Sequence, residues 1–163
     1  MSAQPHPAPE AVAAIIPAMN ESQRIGATVA AAKQIPGVDM VLVVDDGSVD
    51  DTGTLARRAG AEVITHPKNK GKAAAMMTGA FALRNREISD ADPGVDPHHR
   101  ALLFIDGDLE DSAMNTAPLA EPVLAGRADM TIAILPAQKR KGGGFGFVVG
   151  LAKKGIAELS GFE

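Results

Sequence analysis

MVLVVDDGSVD, residues 40–50, decides how the chain is read. Met40–Val44 is apolar without a break and rich in valine; it then stops at two acids, a glycine and a serine. A short apolar run bounded by turn residues is the pattern of a strand buried on both faces. Asp45 and Asp46 therefore stand at its carboxyl end. Ser48 with Asp51 resembles a helix cap, opening a helix to Arg58 that Gly60 stops.

The same alternation extends both ways. Upstream, Ala11–Ile16 is an apolar run ending at Pro17. Asn20, with Gln23 three residues on, has capping-box spacing and predicts a helix through Lys33, ended by Pro36 and Gly37. Downstream, Glu62–Thr65 reads as a third strand and Lys70–Arg86 as a long helix whose Met76 and Met77 fill core space. Residues 87–100 read as an exposed loop and Ala101–Ile105 as a fourth strand. A helix is predicted near 116–125, then a fifth strand over Asp129–Leu135. A basic, glycine-rich loop follows over 136–146, and an amphipathic helix over Phe147–Leu159. Strands alternating with helices at this spacing predict an α/β, Rossmann-like fold, a mostly parallel sheet with helices on both faces. Residues 1–10, with three prolines, read as a flexible lead-in, and 11–163 as one domain.

Composition removes several function classes. The 163 residues carry a net charge of −4, which argues against a general nucleic-acid binder. Trp and Tyr are absent and Phe numbers five, so stacking platforms for single strands are not expected. With no cysteine there is no disulfide framework, thiolate metal site or cysteine nucleophile, which fits a cytosolic compartment. No apolar run is long enough to cross a bilayer, and the first ten residues lack the pattern of a signal peptide.

In open parallel sheets, ligands bind beyond the carboxyl ends of the strands, where the chemistry-bearing residues of this chain fall. Asp106 and Asp108 flank Gly107 on a tight turn and offer hard oxygen ligands suited to Mg²⁺ or Mn²⁺. Taken alone, such acids are more often merely solvated. Of Asp45 and Asp46, one could accept a hydrogen bond from a base or ribose while the other braces the turn; an Asx turn alone would also explain them. Lys68, Lys70 and Lys72 open a helix whose N-terminus favours anions, so a phosphate there is physically reasonable; a solvated lysine cluster is the plain alternative. A P-loop is excluded, because His66 and Ala73 stand where its leading glycine and trailing Ser/Thr belong. Together these groups read as a nucleoside-diphosphate site, with a cation between carboxylates and diphosphate.

Four segments carry a resemblance: Ile15–Glu21 (IIPAMNE), Val43–Asp50 (VVDDGSVD), Asn69–Lys72 (NKGK) with Gly79, and Asp106–Leu109 (DGDL). In this order and spacing they resemble glycosyltransferase family 2, of the GT-A nucleotide-sugar-binding fold. The flavour is that of the polyprenyl-phosphate sugar transferases and of glucosyl-3-phosphoglycerate synthase-type enzymes. The resemblance implies metal-dependent sugar transfer from a nucleoside-diphosphate sugar, UDP or GDP, to a polyprenyl phosphate, a phosphoglycerate-like acceptor or a glycan. It implies that Pro17, Ala18 and Glu21 contact the nucleoside, and that Asp46 binds the base with Asp45 in support. Lys68 and Lys72 would lie near base or diphosphate. Asp106 would touch ribose or the metal's water shell, and Asp108 would ligate the metal. Gly143 and Gly144 are similar to an acceptor-side glycine loop. Met19 departs from the family where an aromatic is frequent, and Gly107 replaces a commoner alanine.

The family's acceptor-binding elements, and often its base, lie further along than Glu163. No residue after Asp111 reads as a convincing base; Glu158 and Glu163 are weak candidates, and a phosphate acceptor would need none. A lipid-phosphate acceptor implies a cytoplasmic protein meeting the inner face of a membrane. Two other readings stay open: a non-catalytic or partner-dependent nucleotide-sugar-binding module, and a nucleotidyltransferase. The second lacks the expected Gly-rich basic loop at Pro17–Glu21.

Overall fold

The structure, a computed structural model, describes residues 8–91 and 99–134. The expected loop at 136–146 and helix at 147–159 lie outside the described residues. Strands β1 (Ala11–Ala18), β2 (Val38–Asp45), β3 (Glu62–Thr65) and β4 (Arg100–Phe104) form a four-stranded sheet in the order β3-β2-β1-β4. All three pairings are parallel. Helices α1 (Ile25–Ala32), α2 (Thr52–Arg58), α3 (Lys72–Asp90) and α4 (Ala117–Leu124) alternate with the strands, and a 3₁₀ helix (Glu110–Thr116) precedes α4.

The central strands are buried on both faces, which is why they read as unbroken apolar runs: Val12 through Ile16 are all 0% exposed. Val12, Ala14 and Ile16 of β1 join Val41 and Val43 of β2 in one core with Val29 of α1, Ala56 of α2, Ala113 and Ala120. The opposite face carries α3, whose Gly79 comes so close that an added Cβ would lie 2.6 Å from Ile15 Cγ2. Helices thus cover both faces, as expected. Pro17 sits in a central strand without breaking the ladder. Ile15 O takes the last bond from the β4 side, from Ile105 N at 3.1 Å, so the nitrogen of Pro17 faces β4 beyond its end.

Several expectations need correction. Residues 129–134 form no strand: Met130 and Ile132 are 73% exposed, and the Thr131 hydroxyl donates to Leu119 O. An apolar alternation becomes a strand only where a neighbour takes up its ladder and its face. α1 starts at Ile25 rather than at Asn20, with no side-chain cap. α3 runs on to Asp90, beyond the predicted Arg86, and Met77 stands 54% exposed rather than in the core. The Ser48–Asp51 cap is not made either. The Asp50 carboxylate instead accepts the Thr52 amide at 3.0 Å, an Asx turn that starts α2.

Candidate functional site

Because the strands are parallel, their carboxyl ends share one edge, and the loops that follow are tied to one another there. The first tie joins the loops after β1 and β2. Asn20 has a left-handed backbone (φ 56°); its amide donates to Ser48 Oγ at 2.9 Å and its Oδ1 accepts from the Val49 amide at 3.0 Å. The Glu21 amide donates to the fully buried Thr52 hydroxyl at 2.8 Å, and the Ser22 amide to Asp50 Oδ2 at 3.2 Å. The Asn20 and Ser48 side chains, which suggested helix caps, are therefore used between loops.

Asp50 is the acceptor that gathers this tie. Its hydrogen bond from the Thr52 hydroxyl, opposed by desolvation and reinforced by Ser22, lowers its pKa from 3.8 to about 2. A folded-state pKa below the unfolded one stabilises the fold above the unfolded value, and that contribution is lost as pH falls through the folded value. The stability advantage of the wild type over Asp50→Asn should therefore be constant above about pH 4 and shrink steadily toward about pH 2. Thermal melts of both proteins across that window read the difference; parallel curves would remove Asp50 from the tie.

The second tie joins β2 to the lysine loop after β3. Asp45 braces its own turn, Oδ1 accepting the Ser48 amide at 2.9 Å. Asp46 is buried, and its carboxylate takes three hydrogen bonds. It accepts His66 Nδ1–H at 2.6 Å, the Lys70 amide at 2.9 Å and the Gly71 amide at 2.8 Å. Burial alone would raise the Asp46 carboxyl; the bond from His66, with those from the two amides, more than offsets it and holds the group below its ordinary range. On its other side, His66 Nε2 lies 2.9 Å from the Thr78 hydroxyl. His66 carried no motif in the sequence; its one signal was its place immediately after β3. In this geometry Asp46 shapes the loop that presents Lys68, Lys70 and Lys72, all three exposed.

The third tie crosses the sheet. The Lys72 ammonium forms an ion pair with the Asp106 carboxylate, joining the start of α3 to the turn after β4. Gly107 is buried against the end of β1; an added Cβ would lie 3.1 Å from Ala18 Cβ and 3.4 Å from Pro17 O. Asp108 is exposed, and its carboxylate has no hydrogen bond or ion pair among the described residues. Pro17 and Ala18 are the buried last residues of β1. Glu21 is held by Arg24, whose Nε donates to Oε2 at 2.8 Å. Gly143 and Gly144 lie outside the described residues.

The donor set at 106–108 suits a hard divalent cation. Its protein oxygens are carboxylates, and Lys72 shows that a cation is attracted to Asp106. Among the described residues no three His, Cys, Asp or Glu side chains gather as a metal cluster. Such an ion would complete its shell with water and phosphate oxygen, the habit of Mg²⁺ in phosphate sites. A polar recess of about 370 Å³ lies at the other end of the strands, lined by Lys33, Asp39, Arg86 and Arg100. It is remote from these turns, and its arginines are already paired, Arg100 with Asp39 and Arg86 with Glu62.

A parallel sheet with helices on both faces, whose carboxyl edge gathers acids and lysines in this way, defines the class, an α/β domain of GT-A type. Residues 13–148 match the family model described as "Glycosyl transferase family 2", and the chain belongs to that family. An uncharacterized glycosyltransferase of Mycobacterium tuberculosis is 37% identical over 89 residues, 53% of this chain and 39% of that protein. Glucosyl-3-phosphoglycerate synthase of Mycolicibacterium smegmatis is 31% identical over 109 residues, 61% of this chain and 31% of that protein. The crystal structure of the M. tuberculosis synthase in complex with Mn²⁺, UDP-glucose and phosphoglyceric acid superposes with a TM-score of 0.50 at 26% identity. That match covers 72% of this chain and 40% of the synthase. The chain thus spans about two fifths or less of the length of these relatives. Among the described residues no helix is long and apolar enough to cross a membrane.

Proposed function

We propose that this chain is the nucleotide-sugar-binding part of a metal-dependent glycosyltransferase that moves a sugar from a UDP- or GDP-sugar to an acceptor. The observation that carries this reading is the ion pair of Lys72 with Asp106, which brings the lysine loop and the acidic turn to one place. Family membership favours sugar transfer over nucleotidyl transfer. The synthase's UDP-glucose complex favours uridine among the donors.

In this reading Asp108 and Asp106 hold the cation, Mg²⁺ or Mn²⁺. Bound there, the cation offsets the charge of the diphosphate and stabilises it as a leaving group. Lys72, with Lys68 beside it, pairs with phosphate oxygens. The ends of β1 and β2, at Pro17, Ala18, Glu21 and Asp45, line the nucleoside side. Asp46 acts there through the loop it anchors, using the amides of Lys70 and Gly71. A phosphate acceptor, already anionic, would attack the anomeric carbon without a protein base. A hydroxyl acceptor would need a base from outside the described residues.

A thermal-shift screen of UDP-, GDP-, ADP- and dTDP-sugars with and without Mn²⁺ tests the reading. One donor at about 100 times its Kd should add about 2.7 kcal/mol of stability, a rise of several degrees, and only with Mn²⁺ present. If no donor shifts the melt in Mn²⁺, the proposal fails. Binding without turnover or slow donor hydrolysis would point instead to a non-catalytic binding module.

A further inference from the structure

The structure assigns to Thr28, in the middle of α1, the role of positioning residue for the turn that carries Asp108, an inference that rests on the proposed cation site at 106–108. Thr28 is 0% exposed and belongs to none of the motifs. A threonine inside a helix commonly turns its hydroxyl back to the carbonyl four residues earlier, and Arg24 O does lie 3.2 Å away. That carbonyl already takes Thr28's own amide, at 3.0 Å. The hydroxyl also lies 3.0 Å from Gly107 O and 2.8 Å from the Glu110 amide. It therefore accepts from Glu110 N–H, while its one proton has two acceptors in reach, Gly107 O, the nearer, and Arg24 O.

These two backbone groups bracket Asp108. Glu110, at φ 48°, holds a left-handed conformation that a residue with a side chain adopts only when its surroundings require it. The hydrogen bond from its N–H to the Thr28 hydroxyl helps to hold it there. Gly107 is pressed from the other side by the end of β1. With no partner on its own carboxylate among the described residues, Asp108 is aimed by its backbone, and Thr28 fixes that backbone from within the core. Through Asn20, Glu21 and Ser22, the loop that leads into α1 is itself tied to the turn after β2. α1 is thus a strut between the nucleoside side and the cation side of the rim. A hydroxyl that holds the backbone of a metal-ligand turn acts as the outer partners of metal ligands do, and losing such a partner commonly costs about 10–100-fold in metal affinity.

The test uses two pairs that each differ by the hydroxyl at nearly constant shape or size: wild type against Thr28→Val, and Thr28→Ser against Thr28→Ala. Calorimetric titration with Mn²⁺ in the presence of saturating UDP, on the full chain, gives affinity, and amide exchange by NMR reads the Glu110 N–H. We expect Mn²⁺ affinity to fall about tenfold or more in Val and Ala, to stay near wild type in Ser, and Glu110 exchange to quicken in Val and Ala only. Should Val fail to fold, the Ser–Ala pair decides alone. Affinity and exchange that ignore the hydroxyl, or a Ser variant as weak as Ala, overturn the assignment. If the wild type binds Mn²⁺ with UDP present and Asp108→Ala does not, such a result overturns the role of Thr28 alone; a wild type that binds no Mn²⁺ even with UDP overturns the cation site together with it.

Discussion

Asp108→Ala should abolish Mn²⁺-dependent binding of UDP or GDP and leave the melting temperature close to that of the wild type. Both halves of this expectation come from the same geometry. The Asp108 carboxylate is exposed, and its removal breaks no hydrogen bond or ion pair among the described residues. Surface changes of this kind usually stay within about 0.5 kcal/mol. The binding loss is large because the site has so few protein ligands. With Asp108 gone, one carboxylate remains, and the Lys72 ammonium competes for it. A loss of at least about 100-fold is expected, above what removal of an outer partner brings. The sign of the metal-free control is informative. Removing a negative charge beside an anionic nucleotide can only ease its approach in the absence of a cation. Isothermal titration with and without Mn²⁺ should therefore show the deficit in the metal-containing arm alone. Unchanged affinity in that arm would remove Asp108 from the cation site.

What the sequence made legible follows from how each feature is encoded. β1 and β2 are buried on both faces, and burial on both faces demands the unbroken apolar runs by which they were found. The common edge of the four loops then followed from parallel pairing, and the Lys72–Asp106 contact agrees with it. Where a side chain works across the fold, local spacing misleads. Asn20 and Gln23 have the separation of a capping box, yet the Asn20 amide and side chain meet Ser48 and Val49. Asp46 stands where a ligand-facing acid is expected, and its three acceptor bonds come from His66, Lys70 and Gly71, residues on the far side of β3. Thr28 left no trace, because a helical threonine with a structural hydroxyl is indistinguishable in sequence from one that faces solvent. The segment 129–134 shows the opposite failure: its alternation suits a strand, but pairing needs a free edge in register, which no local pattern reports.

Gly47→Ala should be among the most damaging single-methyl changes in the chain, and its damage should fall on the lysine loop. Gly47 has φ +75°, where a side chain is strained, and the space beside it is taken by backbone: an added Cβ would lie 2.6 Å from both Asn69 N and Lys68 C. A flexible side chain could swing aside; a peptide unit cannot. Left-handed strain of about 1–2 kcal/mol and overpacking of about 1–3 kcal/mol together give an expected cost of about 2–5 kcal/mol. Gly126 supplies the control, for its φ is +64° while its added Cβ would meet only Ala8 Cβ, at an ordinary 3.5 Å. Gly126→Ala should therefore show the strain without the collision. Relief of the collision has to come from residues 68–69, whose withdrawal would also pull the Lys70 and Gly71 amides from Asp46. Chemical denaturation should rank Gly47→Ala well below Gly126→Ala in stability. Titration with a nucleoside diphosphate in Mn²⁺ should show a loss only in the former. If the two variants are equally mild and both bind like the wild type, the turn at 47 does not seat the lysine loop, and the placement of Lys72 must depend on Asp46 and His66 alone.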